Sequence, residues 1–208
     1  MAGIAHVITS DSASGAQVID GSLKFDQTKK TYLNRTFPSA GNQKTFTFST
    51  WLKRASGFGS YRAILTTLSN DGTGNTGAWI GDTQDEWYYY IESEDFFSDA
   101  KARDTGWYHV VYRLDTTQST ANDRLRVYVN GNLMSWRTGT QPTLNYEDKL
   151  NSAASHSIGR RDSSNTHHFD GSMSQFYFID GQSLGPEYFG FTDPLTNTWK
   201  PKKYKVPL

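Results

Sequence analysis

The chain has 208 residues, carries 21 Lys and Arg against 21 Asp and Glu, and contains no cysteine. This balance excludes the basic surface typical of nucleic-acid-binding domains, and the lack of cysteine excludes disulfides, thiolate metal sites and cysteine nucleophiles. No stretch approaches the roughly 20 apolar residues that cross a membrane, and residues 1–10 lack the basic and apolar regions of a secretory signal. We therefore expect assembly in a cytoplasm, with neither membrane insertion nor binding to nucleic acid.

The residue types favour strands and turns. The chain contains 6 Trp, 12 Tyr and 12 Phe, and aromatic residues suit a pleated, half-buried surface, whereas Gly, Asn, Asp and Ser suit the bends between strands. Side chains alternate between apolar and polar in many short segments, which is the pattern of a strand. In chain order the predicted strands are 22–25, 32–34, 45–52, 61–68, 77–80, 87–91, 107–115, 125–129, 133–134, 157–160 and 173–179.

Local signals refine this pattern at three places. Phe46 and Phe48 share one face of the strand 45–52, while Ser49 and Trp51 share the other, which predicts one inward and one outward row. In the strand 107–115 both faces carry apolar side chains, as expected when both faces of a strand are at least partly covered. The dipeptide at 130–131, Asn-Gly, predicts a two-residue type I′ turn between strands. Helical periodicity is scarce, and only 183–189, with Pro186 in its first turn, predicts a turn or two of helix.

Strands at intervals of 8 to 15 residues, without helices to connect parallel strands, predict an all-β fold, an antiparallel two-sheet jelly-roll sandwich. Composition changes only at the ends of the chain. We therefore divide it into an N-terminal extension (1–20), one jelly-roll domain (21–190) and a basic C-terminal tail (191–208). The four lysines of this tail are candidates for docking onto a partner protein, with plain solvation as the alternative: Lys200, Lys202, Lys203 and Lys205.

Several motifs resemble those of a known family. The segments FTFSTWLK (46–53), GWYHVV (106–111), LRVYVNG (125–131), IG (158–159) and FDGSM (169–173) follow the order and spacing of a laminin-G-like domain of the concanavalin A-like lectin/glucanase superfamily. Segments 22–25, 32–36, 41–45, 178–182, 188–190 and 199–204 resemble the laminin-G-like domains in virion proteins of tailed bacteriophages, especially marine ones. The resemblance implies a concanavalin A-like sandwich but no particular activity, because this fold carries lectins, glycosidases and structural modules.

The acidic residues do not match the glycosidases of this superfamily, which the resemblance implies would use acids alternating along one strand. The nearest acids are Asp85, Glu86, Glu92, Glu94 and Asp95, and Phe96 occupies the position of the third acid in that alternation. We therefore expect no enzymatic activity and regard glycoside hydrolysis as the weakest alternative.

The histidines follow no catalytic or zinc-binding spacing. His109 lies where the family often has a histidine beside a buried tryptophan, which implies a packed, hydrogen-bonded side chain. The pair His167 and His168 is expected at the surface of a polar loop, with a metal at an assembly axis as the alternative.

Calcium is the cofactor that the resemblance makes possible, because some laminin-G-like domains bind it through loop oxygens. Asp71, Asn75 and Asp170 are the candidate ligands, and Asp115 is another. A glycine-rich turn without metal explains the segment around Asp71 equally well, so the prediction is that the protein needs no cofactor and that calcium remains possible.

Four consecutive aromatic residues form the candidate binding surface. Alternation directs Trp87 and Tyr89 to one face of their strand and Tyr88 and Tyr90 to the other. Unless both faces are buried, one pair is exposed and can stack on a sugar or fill a pocket of a neighbouring protein. Core packing is the alternative explanation of the same run.

Together these features predict a non-enzymatic structural protein of a bacteriophage virion, assembled in the host bacterial cytoplasm. It would decorate the head or belong to the tail or its fibres, contact other capsid or tail proteins, and occur as a homo-oligomer or in many copies. Adhesion to a host surface glycan can accompany this role. The alternative is a carbohydrate-binding adhesin, or lectin module.

Overall fold

The computed structural model describes residues 16–55, 59–68, 75–81, 84–91, 93–161 and 165–205. They form two six-stranded antiparallel sheets that pack face to face, as the alternation predicts. The first sheet has the strand order β1-β12-β3-β8-β9-β10, and the second has the order β2-β11-β4-β5-β6-β7. The strands are β1 Leu23–Phe25, β2 Leu33–Thr36, β3 Thr45–Arg54, β4 Arg62–Leu68, β5 Asn75–Gly81, β6 Glu86–Ile91, β7 Glu94–Lys101, β8 Trp107–Asp115, β9 Leu125–Val129, β10 Asn132–Met134, β11 Ser155–Ile158, β12 Gly171–Asp180, β13 Gly190–Thr192 and β14 Trp199–Pro201.

Every predicted strand overlaps an observed one, and the jelly-roll sandwich is confirmed. Strands β7, β13 and β14 were not predicted. Single turns of 3₁₀ helix lie at Ala121–Asp123 and Pro186–Tyr188, the second with its proline in the first turn as expected. No helix in the described part of the chain is long and apolar enough to span a membrane.

The core lies between the sheets and is filled by the inward rows of their central strands. Phe48 of β3 stacks on Tyr112 of β8 with 6.0 Å between ring centroids, and Phe46 stacks on Phe178 of β12 at 5.2 Å. Phe46, Phe48 and Tyr112 are each at most 1% exposed. Burial of such large apolar surfaces is the main favourable term in folding.

The outer face of the first sheet is also covered, by the end of the chain. Val111 and Tyr128 form a second apolar cluster with Phe189, whose ring stacks on Tyr204 at 5.2 Å. Strands β13 and β14 pair with each other, and the N–H of Gln17 donates to the C=O of Pro201 at 2.9 Å. Residues 191–205 therefore pack on the sheet, and both ends of the described chain meet there.

A tight turn positions β14. Asn130 and Gly131 have φ values of 48° and 81°, which confirms the predicted type I′ turn between β9 and β10. A Cβ atom on Gly131 would lie 2.5 Å from the Trp199 ring. Glycine is therefore required here both for its backbone conformation and for the close approach of the indole.

The carboxyl group of Asp148 is buried in the sandwich. Asp148 is fully buried and accepts hydrogen bonds from the Thr76 hydroxyl, the Tyr89 hydroxyl and the Leu150 N–H, each at 2.9 Å. Burial disfavours the charged form and raises the pKa of Asp148 to about 6. The group thus binds a proton in the folded protein at pH values at which the unfolded chain has already released it.

We expect this proton to make stability depend on pH. Because the folded pKa is raised above 3.8, the contribution of Asp148 is most favourable below pH 4 and falls as the pH rises through 6. The fall amounts to about 3 kcal/mol, at 1.36 kcal/mol per pKa unit. Asp148→Asn keeps an acceptor but cannot titrate. In denaturant unfolding, the stability of wild type minus that of the variant should therefore fall between pH 4 and pH 7, and a constant difference would contradict this assignment.

Candidate functional site

The structure corrects the predicted aromatic surface. Trp87 and Tyr89 are 0% and 1% exposed and belong to the core between the sheets. Tyr88, on the opposite face, is buried against Trp79 and stacks on Phe97 at 4.6 Å. Tyr90 alone of the four is partly exposed. Because both faces of β6 are covered, Trp87 and Tyr89 cannot stack on a ligand.

The acids near β6 form ion pairs and hydrogen bonds instead of a catalytic pair. Asp85 accepts a 2.8 Å hydrogen bond from the fully buried guanidinium of Arg54. Glu86 is 1% exposed and is held by both Nε and Nη2 of Arg137, at 3.2 and 2.7 Å. Such a bidentate pair satisfies a buried carboxylate.

The remaining acids of this group lie elsewhere. Asp95 accepts the hydroxyl proton of Tyr88 at 2.5 Å, Glu94 is exposed, and Glu92 lies outside the described residues. A retaining glycosidase needs two free carboxyl groups about 5 to 5.5 Å apart. The partly buried Asp85 and the buried Glu86 are each held by an arginine.

The metal candidates do not converge in the described residues. Asp71 and the side chain of Asn75 lie outside them, and the Asp170 carboxylate accepts a long, 3.5 Å hydrogen bond from the Gln27 N–H. No three His, Asp or Glu side chains in the described residues form a group that could hold a metal.

The two adjacent histidines bond within their own loop. His167 contacts the Thr166 hydroxyl at 2.7 Å, and His168 contacts the C=O of Asn165 at 3.1 Å. Burial is the main cause that lowers the pKa of both.

Three tryptophans converge on the outer face of the first sheet, and we call the depression around them the tryptophan groove. Trp51 of β3, Trp107 of β8 and Trp199 of β14 line two adjoining cavities. Trp107 is 41% exposed, whereas Trp51 is 7% exposed. The first cavity, of about 510 Å³, is lined besides the tryptophans by Asn130, Gly131, Asn132, Thr192, Asn197 and Thr198. The second, of about 390 Å³, is lined besides them by Gln17, Ile19, Gly21, Ser22, Lys200 and Pro201.

His109 holds two of these tryptophans in place. Its ring lies 5.0 Å from that of Trp51 and 5.9 Å from that of Trp199, both stacked. The Trp199 Nε1–H donates to Nδ1 of His109 at 3.0 Å. The ring proton must therefore be on Nε2, which donates to the Ser49 hydroxyl oxygen at 2.9 Å. The sequence-based expectation of a packed, hydrogen-bonded His109 is confirmed.

The same histidine stays neutral over the whole physiological range. Burial lowers the pKa of His109 to about 3, because a buried imidazolium has lost its hydration. Because the ring is neutral, its Nδ1 can accept the hydrogen bond from the Trp199 Nε1–H. The groove therefore keeps its shape in mildly acidic surroundings.

The side-chain amides of two asparagines beside the tryptophans each have an atom that forms no hydrogen bond within the described residues. The Asn130 Oδ1 accepts the His109 N–H at 2.8 Å, while its Nδ2 has no partner among the described residues. The Asn132 Nδ2 donates a 3.3 Å bond to the Asn130 C=O, and its Oδ1 likewise has no described partner. The first cavity thus combines an exposed aromatic ring with uncharged donors and acceptors.

The predicted docking lysines have different surroundings. Lys200 lies in β14 and lines the second cavity. Lys202 is tied to the domain by its N–H, which donates to the C=O of Phe189, and by its Nζ, which donates to the C=O of Glu187 at 3.1 Å. Lys203 and Lys205 are exposed.

Comparison with known proteins agrees with this architecture. The laminin-G-like family model described as the concanavalin A-like lectin/glucanases superfamily matches residues 26–186. The chain belongs to this family, whose name covers both lectins and enzymes. No curated protein matches the sequence.

Three solved structures show the same fold at low identity. The chain is similar to a heptameric pentraxin from Limulus polyphemus (14% identity, TM-score 0.56, covering 78% of this chain and 76% of that one). It is also similar to the Trypanosoma rangeli sialidase in complex with the inhibitor DANA (14% identity, TM-score 0.56, covering 83% of this chain and 27% of that one). A third similarity is to tailspike protein 2 of the Escherichia coli O157:H7 bacteriophage CAB120 (11% identity, TM-score 0.52, covering 86% of this chain and 24% of that one). The chain thus spans about a quarter of the sialidase and of the tailspike.

The position of Trp199 can be tested at Gly131. Gly131→Ala should lower the free energy of unfolding in two ways, by about 1–3 kcal/mol for the positive φ and by a similar amount for displacing the indole. Guanidinium unfolding measures the loss, and tryptophan emission should shift because Trp199 moves.

Gly181→Ala is the matched control. Gly181 also has a positive φ, of 73°, but a Cβ there would meet only Asn42 Nδ2 at 4.0 Å. This variant should show the backbone penalty alone, with unchanged emission. Equal losses in the two variants would show that Trp199 does not press on Gly131.

Proposed function

We propose that this protein is a non-catalytic carbohydrate-binding module and that the tryptophan groove is its binding site. The convergence of Trp51, Trp107 and Trp199 beside free amide groups carries this proposal. A sugar ring has apolar C–H faces and polar edges, so it is bound by an aromatic platform together with a few well-placed hydrogen-bonding groups. Binding sites for small ligands usually combine these two elements in a preformed cavity.

The groove is well prepared for such a ligand. Trp199 is fixed by its hydrogen bond to His109 and by the glycines that lie against its ring, so little side-chain freedom is lost on binding. The first cavity has no charged lining residue, which favours a neutral sugar there. Trp107 supplies the exposed face on which a sugar stacks.

Binding without catalysis is supported by the state of the acids. Asp85 and Glu86 are ion-paired, and Asp148 is buried within a hydrogen-bond network. None of them lines the groove. The similarity to the sialidase carries no activity to this chain, because at 14% identity it concerns the fold alone and spans 27% of that protein.

We further propose that the module belongs to a bacteriophage virion, in several copies and attached to capsid or tail proteins. The support is the resemblance of the flanking segments to phage virion proteins. The similarity to part of a phage tailspike, at 11% identity, shows only that this fold occurs in such a protein. Lys203 and Lys205, exposed at the end of the described chain, are available to contact an acidic partner surface.

Replacement of Trp107 tests the glycan site. Trp107→Ala should weaken binding to the glycans found on a glycan array by about 30-fold, equivalent to about 2 kcal/mol for a central aromatic contact. Titration calorimetry measures the affinity. The thermal midpoint should change little, because the ring is 41% exposed.

Tyr32→Ala is the control, since Tyr32 is equally exposed and does not line the groove. It should bind like wild type. An array without hits, in the presence or absence of calcium, would overturn the proposed function.

The virion assignment has its own test. Mass spectrometry of purified particles of the phage that encodes this chain should detect the polypeptide in many copies per particle. Particles that lack it would refute the assignment and leave the glycan site untouched.

A further inference from the structure

We infer that the tryptophan groove binds an extended oligosaccharide that crosses Trp107 and places one sugar unit in each of its two cavities. This inference rests on the proposed function and adds the length of the ligand and a second subsite. The cavities, of about 510 and 390 Å³, adjoin at the three shared tryptophans. A ligand that stacks on Trp107 therefore continues into both.

The second cavity contains a donor and an acceptor that have no partner in the described part of the chain. The Trp51 Nε1–H and the Gln17 Oε1 are both buried without a hydrogen bond to any described residue, and both residues line this cavity. Leaving such groups unpaired is costly. Sugar hydroxyls can satisfy both, because a hydroxyl accepts from an N–H and donates to a carbonyl oxygen.

A hydroxyl can reach these two buried atoms when the Gln17 side chain moves. Trp51 is 7% exposed and is fixed by the stacking of its ring on His109. Its Nε1–H is therefore a rigid donor. Gln17 is only partly buried, and its flexible side chain can move to admit the hydroxyl. The second subsite is thus preformed on the tryptophan side and adaptable on the glutamine side.

The second cavity is built by the two ends of the chain. Gln17, Ile19, Trp199 and Lys200 all lie outside residues 26–186, the part that matches the family. The Gln17 N–H to Pro201 C=O bond, at 2.9 Å, joins these ends. The subsite is therefore a feature of this chain added to the shared fold.

The charge of the lining residues narrows the class of sugar that the second cavity can bind. Among the described residues, Lys200 is the one charged residue that lines either cavity. Its positive charge favours a neutral sugar, or one that carries a carboxylate, over a positively charged amino sugar in the second cavity.

The test compares oligosaccharides of increasing length. Cello-, malto- and N-acetylated chito-oligosaccharides of one to six units are titrated by calorimetry into the full chain. For the series that binds, affinity should rise about tenfold or more, equivalent to 1.4 kcal/mol, between one unit and two or three, and then level off.

Two variants of Gln17 assign the gain to the second subsite. Gln17→Ala should bind the single sugar as wild type does but lose the gain with length. Gln17→Glu keeps an acceptor oxygen and should retain the gain. Thermal unfolding of both variants checks that the ends of the chain remain joined.

The outcomes separate the two levels of the proposal. An affinity that does not change with length, or a gain that survives in Gln17→Ala, overturns the second subsite and leaves the carbohydrate-binding function in place. No binding by any of the three series at any length, together with a glycan array without hits, overturns both.

Discussion

The pairing of β3 with β8 is the constraint on which the rest of the structure depends. Phe48 lies opposite Tyr112 in this ladder, and Trp51 lies opposite His109. Because successive side chains point to opposite faces, the first pair enters the core and the second pair faces the C-terminal hairpin. A shift of one residue would exchange the two rows and destroy both the core and the support of the groove. The groove is therefore as firmly specified as the core itself.

The two acids that precede and begin β6 are both held in ion pairs. Glu86 and Arg137 form a pair whose carboxylate is buried, and Asp85 is paired with the buried Arg54. Such pairs contribute little net stability, because desolvation offsets the attraction, but breaking one leaves a buried charge unpaired. The Asp85–Arg54 pair holds the start of β6 against the end of β3, and the Glu86–Arg137 pair holds it against the segment that follows β10.

The sequence alone was sufficient for most of the fold, because strands and turns leave local signals. The inward row of Phe46 and Phe48 and the turn at Asn130 and Gly131 follow from period and turn chemistry. Strand β7 escaped prediction because Glu94 and Asp95 at its start are typical of a solvated loop. Strands β13 and β14 have three residues each, too few to show a period.

The site was beyond local reasoning, for two physical reasons. Alternation shows that Trp87 and Tyr89 share a face, but not that the other sheet covers this face and neighbouring side chains cover the opposite one. The groove depends instead on contacts distant in sequence, since Trp51, Trp107 and Trp199 meet only after the sheets have paired. The one signal of the groove in the sequence was that Trp51 and His109 point to the outer face of the first sheet. Two aromatic rings on that face require other residues to pack over them.

The location of the groove on the outside of the sheet has a consequence for how binding can change. Trp107 stands on a strand whose opposite face is core, so the platform is held by the whole sandwich and costs little to order. The cavities beside it are lined by a turn, the β13–β14 hairpin and the N-terminal segment, where substitutions disturb the core least. In the proposed site, rigidity and variability are thus assigned to different residues: Trp51 and His109 hold the platform, whereas Gln17 and Asn132 border the cavities beside it.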